Sequence, residues 1–321
     1  MDNAALIVCA RVTVVLALTA VALFSSRRST AATRHLIAMA GLAGALLVLV
    51  LPGSLPELEL PILPRGHMLA NPPEPASHGA PLARSIFPQA WPWIAALWAL
   101  GSALLLARLE VGMLRFSRWC QLASPDGVAQ GARGKVRVLV SDRAAVPMTA
   151  GILSPVILLP PQSREWTVEC RRLVLGHELA HAQRFDSLAV LVSETATALF
   201  WLHPLVWLVR RRARVEAEQA ADDVVLAAGE TPSLYARHLV AIASSLRAPS
   251  GAVPMARTHE LEGRLQALLD LRDRGASSRS GRAICLALLG VSLALSAIRP
   301  ISRIIVTSNC ERAQSVLRDL R

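Results

Sequence analysis

Apolar and polar positions divide this chain into long, nearly uncharged runs and one mixed segment that lies between the third run and the fourth. The runs are Ala4–Phe24, His35–Leu51, Trp91–Ala107 and Ala283–Ile298. Each is close to the roughly 17 to 25 residues with which a helix crosses a hydrocarbon core of about 30 Å, the fourth being the shortest. Asp2 stands ahead of the first run and no basic stretch opens it, which favours a retained span over a secretory leader. Arg11 lies near enough to the end of its run to snorkel to the interface.

Between residues 108 and 282 the period changes. Val136–Val140 reads as a strand, and the string "PMTAGILSPVILLPP" brackets a second one, Val156–Leu159, with prolines. The second strand either flanks a cleft, where it can pair with an extended substrate backbone, or is a plain core strand. After Pro161 apolar residues recur at helical spacing to about Arg184, with Ser163 the expected N-cap and Glu165 in the first turn. Ser187–Val209 is apolar again, with Glu194 its one acid. Proline suits the first turn of a helix and breaks an interior, so Pro204 splits this stretch into a helix Ser187–Leu202 and a second that starts near Pro204 and stops at Gly229. The two form a hairpin dipping into the membrane or a pair of buried helices, and either returns the chain to the side it left. His203 is expected as an N-cap or hinge. Leu261, Leu265, Leu268 and Leu269 make an amphipathic stripe expected to pack on a core.

Charge orients the spans. The first connection carries Arg27, Arg28 and Arg34 without an acid, whereas Pro52 to Ala90 has three acids against two arginines. The excess of arginine belongs in the cytoplasm. The expected organisation is therefore three spans in residues 1–107 with a Pro-rich extracytoplasmic loop over 52–90, and a cytoplasmic domain over 108–282 with its membrane-associated hairpin at 187–227. A fourth span over 283–299 and a short tail over 300–321 follow. The N-terminus lies outside; the five arginines after Ile298 sit poorly with an outside tail.

Composition supports this picture and excludes others. Hydrophobic residues make up 53% of the 321 residues, above the usual share for a soluble domain. The net charge of +11 does not imply nucleic-acid binding, because 33 of the 34 basic residues are arginine and their densest cluster, Arg210–Arg214, follows an apolar stretch where arginines anchor to headgroups. The five cysteines are scattered, with no Cys-x-x-Cys pair, so neither a disulfide framework nor a cysteine-rich zinc site is indicated.

The chemistry lies in His177-Glu178-Leu179-Ala180-His181. Two histidines four apart project from one helix face, so both imidazoles can reach one metal ion, and the glutamate between them points beside it. A zinc ion in such a site lowers the pKa of a bound water, and a neighbouring carboxylate can take its proton as the water attacks a peptide carbonyl. A catalytic zinc needs a third protein ligand, and the acids available downstream are Glu216, Glu218, Asp222 and Asp223. Glu218 and Asp222 share a helix face, so one can bind metal while the other hydrogen-bonds a ligating imidazole. Any such ligand can reach the zinc only if Ser187–Val209 does not cross the membrane once. Tyr235 and His238 could stabilise an oxyanion, but are expected to belong to a helix packed on the core.

Taken in order, "GILSPVILLP", "LGHELAHAQRFDSL" and "WLHPLVWLVRRRARVEAEQAADDVVLAAG" resemble the BlaR/MecR family of integral-membrane zinc metallopeptidases, from about Val136 to Leu269. The resemblance implies a mainly α fold: multi-pass membrane helices with a cytoplasmic α+β, zincin-like (gluzincin) metallopeptidase domain. It implies one zinc ion bound by His177, His181 and Glu218, Glu178 as general base, Asp222 hydrogen-bonded behind a ligand, and Asp186 as a structural residue. It further implies signal transduction in a bacterial inner membrane, by proteolysis of the protease itself and loss of a winged-helix repressor. About 23 residues after the fourth span leave no room for the fused penicillin-binding sensor domain of the best-known members, so input is expected from the Pro-rich loop, a partner or the membrane lipid. A homodimer is left open. The alternatives are a membrane quality-control protease similar to the HtpX type, and a non-catalytic zinc-binding receptor or scaffold.

Overall fold

In a computed structural model of the chain, the described residues are 2–51, 58–60, 87–131, 134–245, 255–269 and 277–300. Most of the Pro-rich loop and the tail beyond Pro300, with its arginines, lie outside them.

Helix α1 (Asp2–Ser25) and helix α2 (Ala31–Val50) are joined by a short turn, with Thr30 capping α2 through its side chain. They run antiparallel at close range because Gly41 presents no side chain: a Cβ there would stand 2.1 Å from Thr19 Oγ1. Strand β1 (Leu58–Leu60) follows, then helix α3 (Phe87–Leu122). The third run was expected to end at Ala107, but its helix continues without a break to Leu122, where Phe116, Trp119 and Cys120 pack against a sheet. Along most of its length α3 exposes large apolar side chains, among them Trp93, Leu97, Leu100 and Leu104.

The sheet holds β2 (Ser124–Gly131), β3 (Gly134–Val140), β4 (Met148–Ala150) and β5 (Val156–Leu159) in the order β2-β3-β5-β4. Only the β3–β5 pair is parallel, with Val138 opposite Ile157. All four residues of β5 are buried, so it is a core strand, and β4 forms the edge beside the next helix.

A 3-10 turn, Pro161–Arg164, precedes helix α4 (Val168–Gln183). The N-cap is Thr167, not Ser163: Thr167 Oγ1 accepts from the Cys170 N–H at 3.2 Å, while Ser163 is spent in the 3-10 turn that the two prolines induce. Glu169, not Glu165, is the acid of the first turn. Helix α4 is buried on two sides, Val174 against the sheet and Leu173 against later helices.

Helix α5 (Asp186–Leu199) and helix α6 (Pro204–Ala227) divide at the expected proline, and the chain reverses at Phe200–His203. Glu194 on α5 consequently meets Arg210 on α6 in an ion pair. His203 occupies the N-cap position but makes no cap bond; its Nε2 lies 3.0 Å from Thr13 Oγ1 on α1. Helices α7 (Pro232–Ser245), α8 (Met255–Leu269) and α9 (Arg279–Ala297) complete the chain, and β6 (Ile298–Pro300) pairs parallel with β1. On α8 Leu268 is buried, but Leu269, expected in the core, is exposed. The Arg11 guanidinium donates to the Ile298 carbonyl at the end of α9.

Among the described residues, α1 from Ala5, α2, α3 from Trp91 and α9 are long and apolar enough to cross a membrane. One buried cluster joins α1, α2 and α9 to Ala196 of α5 and to Val206, Val209 and Ala213 of α6. The first half of α6 is thus part of the bundle, and its second half lies against α4.

Candidate metal centre

Helix α4 places His177 and His181 one turn apart, and α6 returns to bring Glu218 beside both. Glu218 Oε2 lies 3.5 Å from His177 Nε2, and Oε1 lies 3.8 Å from His181 Nε2. Among the described residues these three form the one group of His, Cys, Asp or Glu side chains that could hold a metal ion, with donor atoms all within 4.8 Å of one another.

Each imidazole is oriented from behind. His177 Nδ1 lies 3.0 Å from Asp222 Oδ1, and His181 Nδ1 lies 2.7 Å from Asp186 Oδ2. Carboxylates only accept hydrogen bonds, so both Nδ1 atoms carry protons, and a neutral ring at either position turns its Nε2 lone pair inward. Those two nitrogens are only 3.1 Å apart, with a carboxylate beside them. With both rings neutral, such a set repels itself unless a cation lies between, a place that a proton shared by the histidines or a divalent ion fits.

The left-handed backbone of Phe185 (φ 58°) makes the Asp186 contact geometrically possible, since the chain turns back there onto the last turn of α4. Asp222 is 1% exposed and has two further partners. Tyr235 Oη donates to its Oδ1 at 2.8 Å, and Arg264 grips both oxygens, Nε to Oδ2 at 3.0 Å and the terminal nitrogen to Oδ1 at 2.7 Å. Arg264 also lies 3.2 Å from Glu218 Oε2. Glu178 is buried, and Thr149 Oγ1 on the edge strand β4 donates to its Oε2 at 2.7 Å.

The electrostatics follow from this packing. Burial and Arg264 act to lower the pKa of His177, but Asp222 and Glu218 outweigh them and push it up to about 9. Burial would raise Glu218, and contact with His177, helped by Arg264 and His181, draws it down to about 2. Asp222 is held well below the usual carboxylate range: burial opposes this, but Arg264 and His177 prevail. Burial, then Asp222, drives the Tyr235 hydroxyl upward, so it remains a donor.

Several of these groups had no signal in the sequence. Thr149 lies 29 residues from Glu178, and Arg264 lies 42 residues beyond Asp222 within an ordinary amphipathic stripe. Tyr235 packs on the core as expected, with Leu173, Val225 and Leu268, but its hydroxyl also lies 3.1 Å from His177 Nδ1. His238 lies apart, 3.7 Å from Glu169.

A family model described as BlaR1 peptidase M56 matches residues 67–268, well over half of the chain. Over 80 residues, 25% of this chain, the sequence is 34% identical to "Regulatory protein BlaR1" of Bacillus licheniformis. That stretch spans 13% of the relative's length.

Proposed function

The chain belongs to the BlaR1 peptidase M56 family, and from that membership we propose that it is a membrane-embedded zinc endopeptidase of the gluzincin type. The observation that carries the reading is the convergence of His177, His181 and Glu218 with a carboxylate behind each imidazole. These three side chains would hold one zinc ion. The ion, when bound, supplies a Lewis acid for the scissile carbonyl and acidifies water at neutral pH.

The remaining steps belong to the chain. Glu178 removes a proton from the attacking water as the new C–O bond forms, then delivers it to the amide nitrogen as the C–N bond breaks. Thr149 holds the Glu178 carboxylate in one orientation through Oε2. Asp222 and Asp186 keep the two imidazoles in the tautomer that presents Nε2. Tyr235 donates a hydrogen bond to Asp222, which makes it a support for His177 and not an oxyanion donor.

The chain would act in a bacterial inner membrane, with its N-terminus outside and the metal centre facing the cytoplasm. It would transduce a signal by cutting itself and a cytoplasmic repressor-type protein, a role supported by its similarity to a protein named as regulatory.

The test is a comparison of the purified full chain with Glu178→Gln. Both should hold one zinc per chain, and the variant should cleave itself and its partner about 10² to 10⁴-fold more slowly. Product peptides identified by mass spectrometry in cells expressing each form give the readout, and undiminished cleavage by the variant would sink the reading.

A further inference from the structure

The start of α2 carries two polar side chains that the proposed chemistry does not use, and both are inserted into the supports of the metal group. Arg34 is 5% exposed, and its guanidinium lies 2.7 Å from Glu216 Oε2 and 3.3 Å from Gln219 Oε1, both on α6. Glu216 is itself 0% exposed and takes a second cation, Arg212, at 2.7 Å. Burying such a pair is costly and is weak evidence of a contribution to stability, whereas its directional contacts fix one packing of two helices. Glu216 and Glu218 are about 200° apart around α6, so Arg34 grips the back of the helix whose front carries Glu218.

His35 acts on the other ligand-bearing segment. Its Nδ1 lies 2.9 Å from the Ala213 carbonyl of α6, and its Nε2 lies 3.7 Å from Oδ1 of Asp186, the carboxylate whose other oxygen holds His181. Arg184 closes the same cluster, its guanidinium 3.1 Å from the Ala217 carbonyl and 3.5 Å from Asp186 Oδ1. Two adjacent residues of one membrane-length helix therefore reach both α6, which carries Glu218, and the carboxylate behind His181.

We propose that Arg34 and His35 are positioning residues of the metal centre, through which the seating of α2 sets the spacing of the His177, His181 and Glu218 donors. The proposal rests on the zinc-peptidase reading above. A shift of α2 along α6 changes the site without any residue of α2 touching the metal, so a membrane helix and the catalytic group move as one mechanical unit.

The test uses the full chain in detergent, with zinc affinity measured by chelator competition and the visible absorption of the cobalt-substituted site as a second readout. Arg34→Gln and His35→Phe should each weaken zinc binding about 10 to 100-fold, the range for groups that support metal ligands, and should shift the cobalt bands. Ile37→Val, a packing change at a fully buried position of the same helix, should lower the melting temperature while leaving both readouts unchanged. Should Arg34→Gln fail to fold, the double variant with Glu216→Gln, which leaves no carboxylate buried at that contact, carries the same expectation. Zinc affinity within twofold of wild type and unchanged cobalt bands in the folded variants would overturn the proposal. A wild-type chain that holds no zinc would instead remove the reading beneath it.

Discussion

Asp222 has three partners, His177, Tyr235 and Arg264, and their contributions differ in kind. The Arg264 contact is a two-pronged, charge-assisted pair in a buried setting, whereas Tyr235 offers one neutral donor. Arg264→Met should therefore cost about 3 kcal/mol in denaturant unfolding of the metal-free chain, because it strands a buried carboxylate. Tyr235→Phe should cost about 1 kcal/mol in the same measurement. Equal losses would mean that the guanidinium is not what balances Asp222. The contrast also marks what could be read from the sequence at this scale. The pattern of His177, Glu178 and His181 was legible because i,i+4 geometry is local, and the pair Glu218 and Asp222 because four-residue spacing again shares a face, whereas only the family resemblance distinguished the roles of the two carboxylates. Arg264 and Thr149 join the site through tertiary contacts across 42 and 29 residues, and no periodicity encodes such a meeting.

Helices were easier to read than their ends. Proline chemistry located the break between α5 and α6, since Pro204 occupies the first turn where its missing N–H is not needed. Ser163 and Thr167 both suit the N-cap of α4, and only the 3-10 turn that starts at Pro161 decides between them. Strand β2 carries Pro125, Asp126 and Gly127 and β4 has only three residues, so neither shows a strand pattern and both are defined by their partners. Close helix contact makes its own prediction. Gly41→Ala places a methyl group against Thr19 and should lower stability by about 1 to 3 kcal/mol. Gly112→Ala on α3, where nothing lies within 4 Å of the new Cβ, should be stabilising by up to about 1 kcal/mol. Thermal unfolding of the two variants in one detergent makes the comparison, and similar losses would contradict the α1–α2 packing described.

Over the whole molecule, bundle and site share a helix. Val206, Val209 and Ala213 lie in the core with α1, α2 and α9, and Glu216 and Asp222 further along α6 are buried near the metal group. A fragment limited to residues 108–282 exposes that apolar face and leaves Glu216 without Arg34. Expressed alone, it should elute as an aggregate in size-exclusion chromatography and hold less than one zinc per chain, whereas a monodisperse, zinc-loaded fragment would show the site to be autonomous. Helix α6 also constrains how the sequence can change length. Among its buried positions, Val206, Val209, Ala213, Glu216, Ala220 and Asp223 follow one phase from the bundle to the site, and burial widens to Ala221, Asp222, Val225 and Leu226 where the helix lies against the metal group. One residue inserted after Ala213 would rotate everything beyond it by about 100° and turn Glu218 away from the histidines. Inserting a full turn would restore the phase but displace Glu218 by about 5.4 Å along the axis. The segment from Val206 to Asp223 can thus accept neither insertions nor deletions, so that among relatives its length should be invariant even where residues away from Glu216, Glu218 and Asp222 differ.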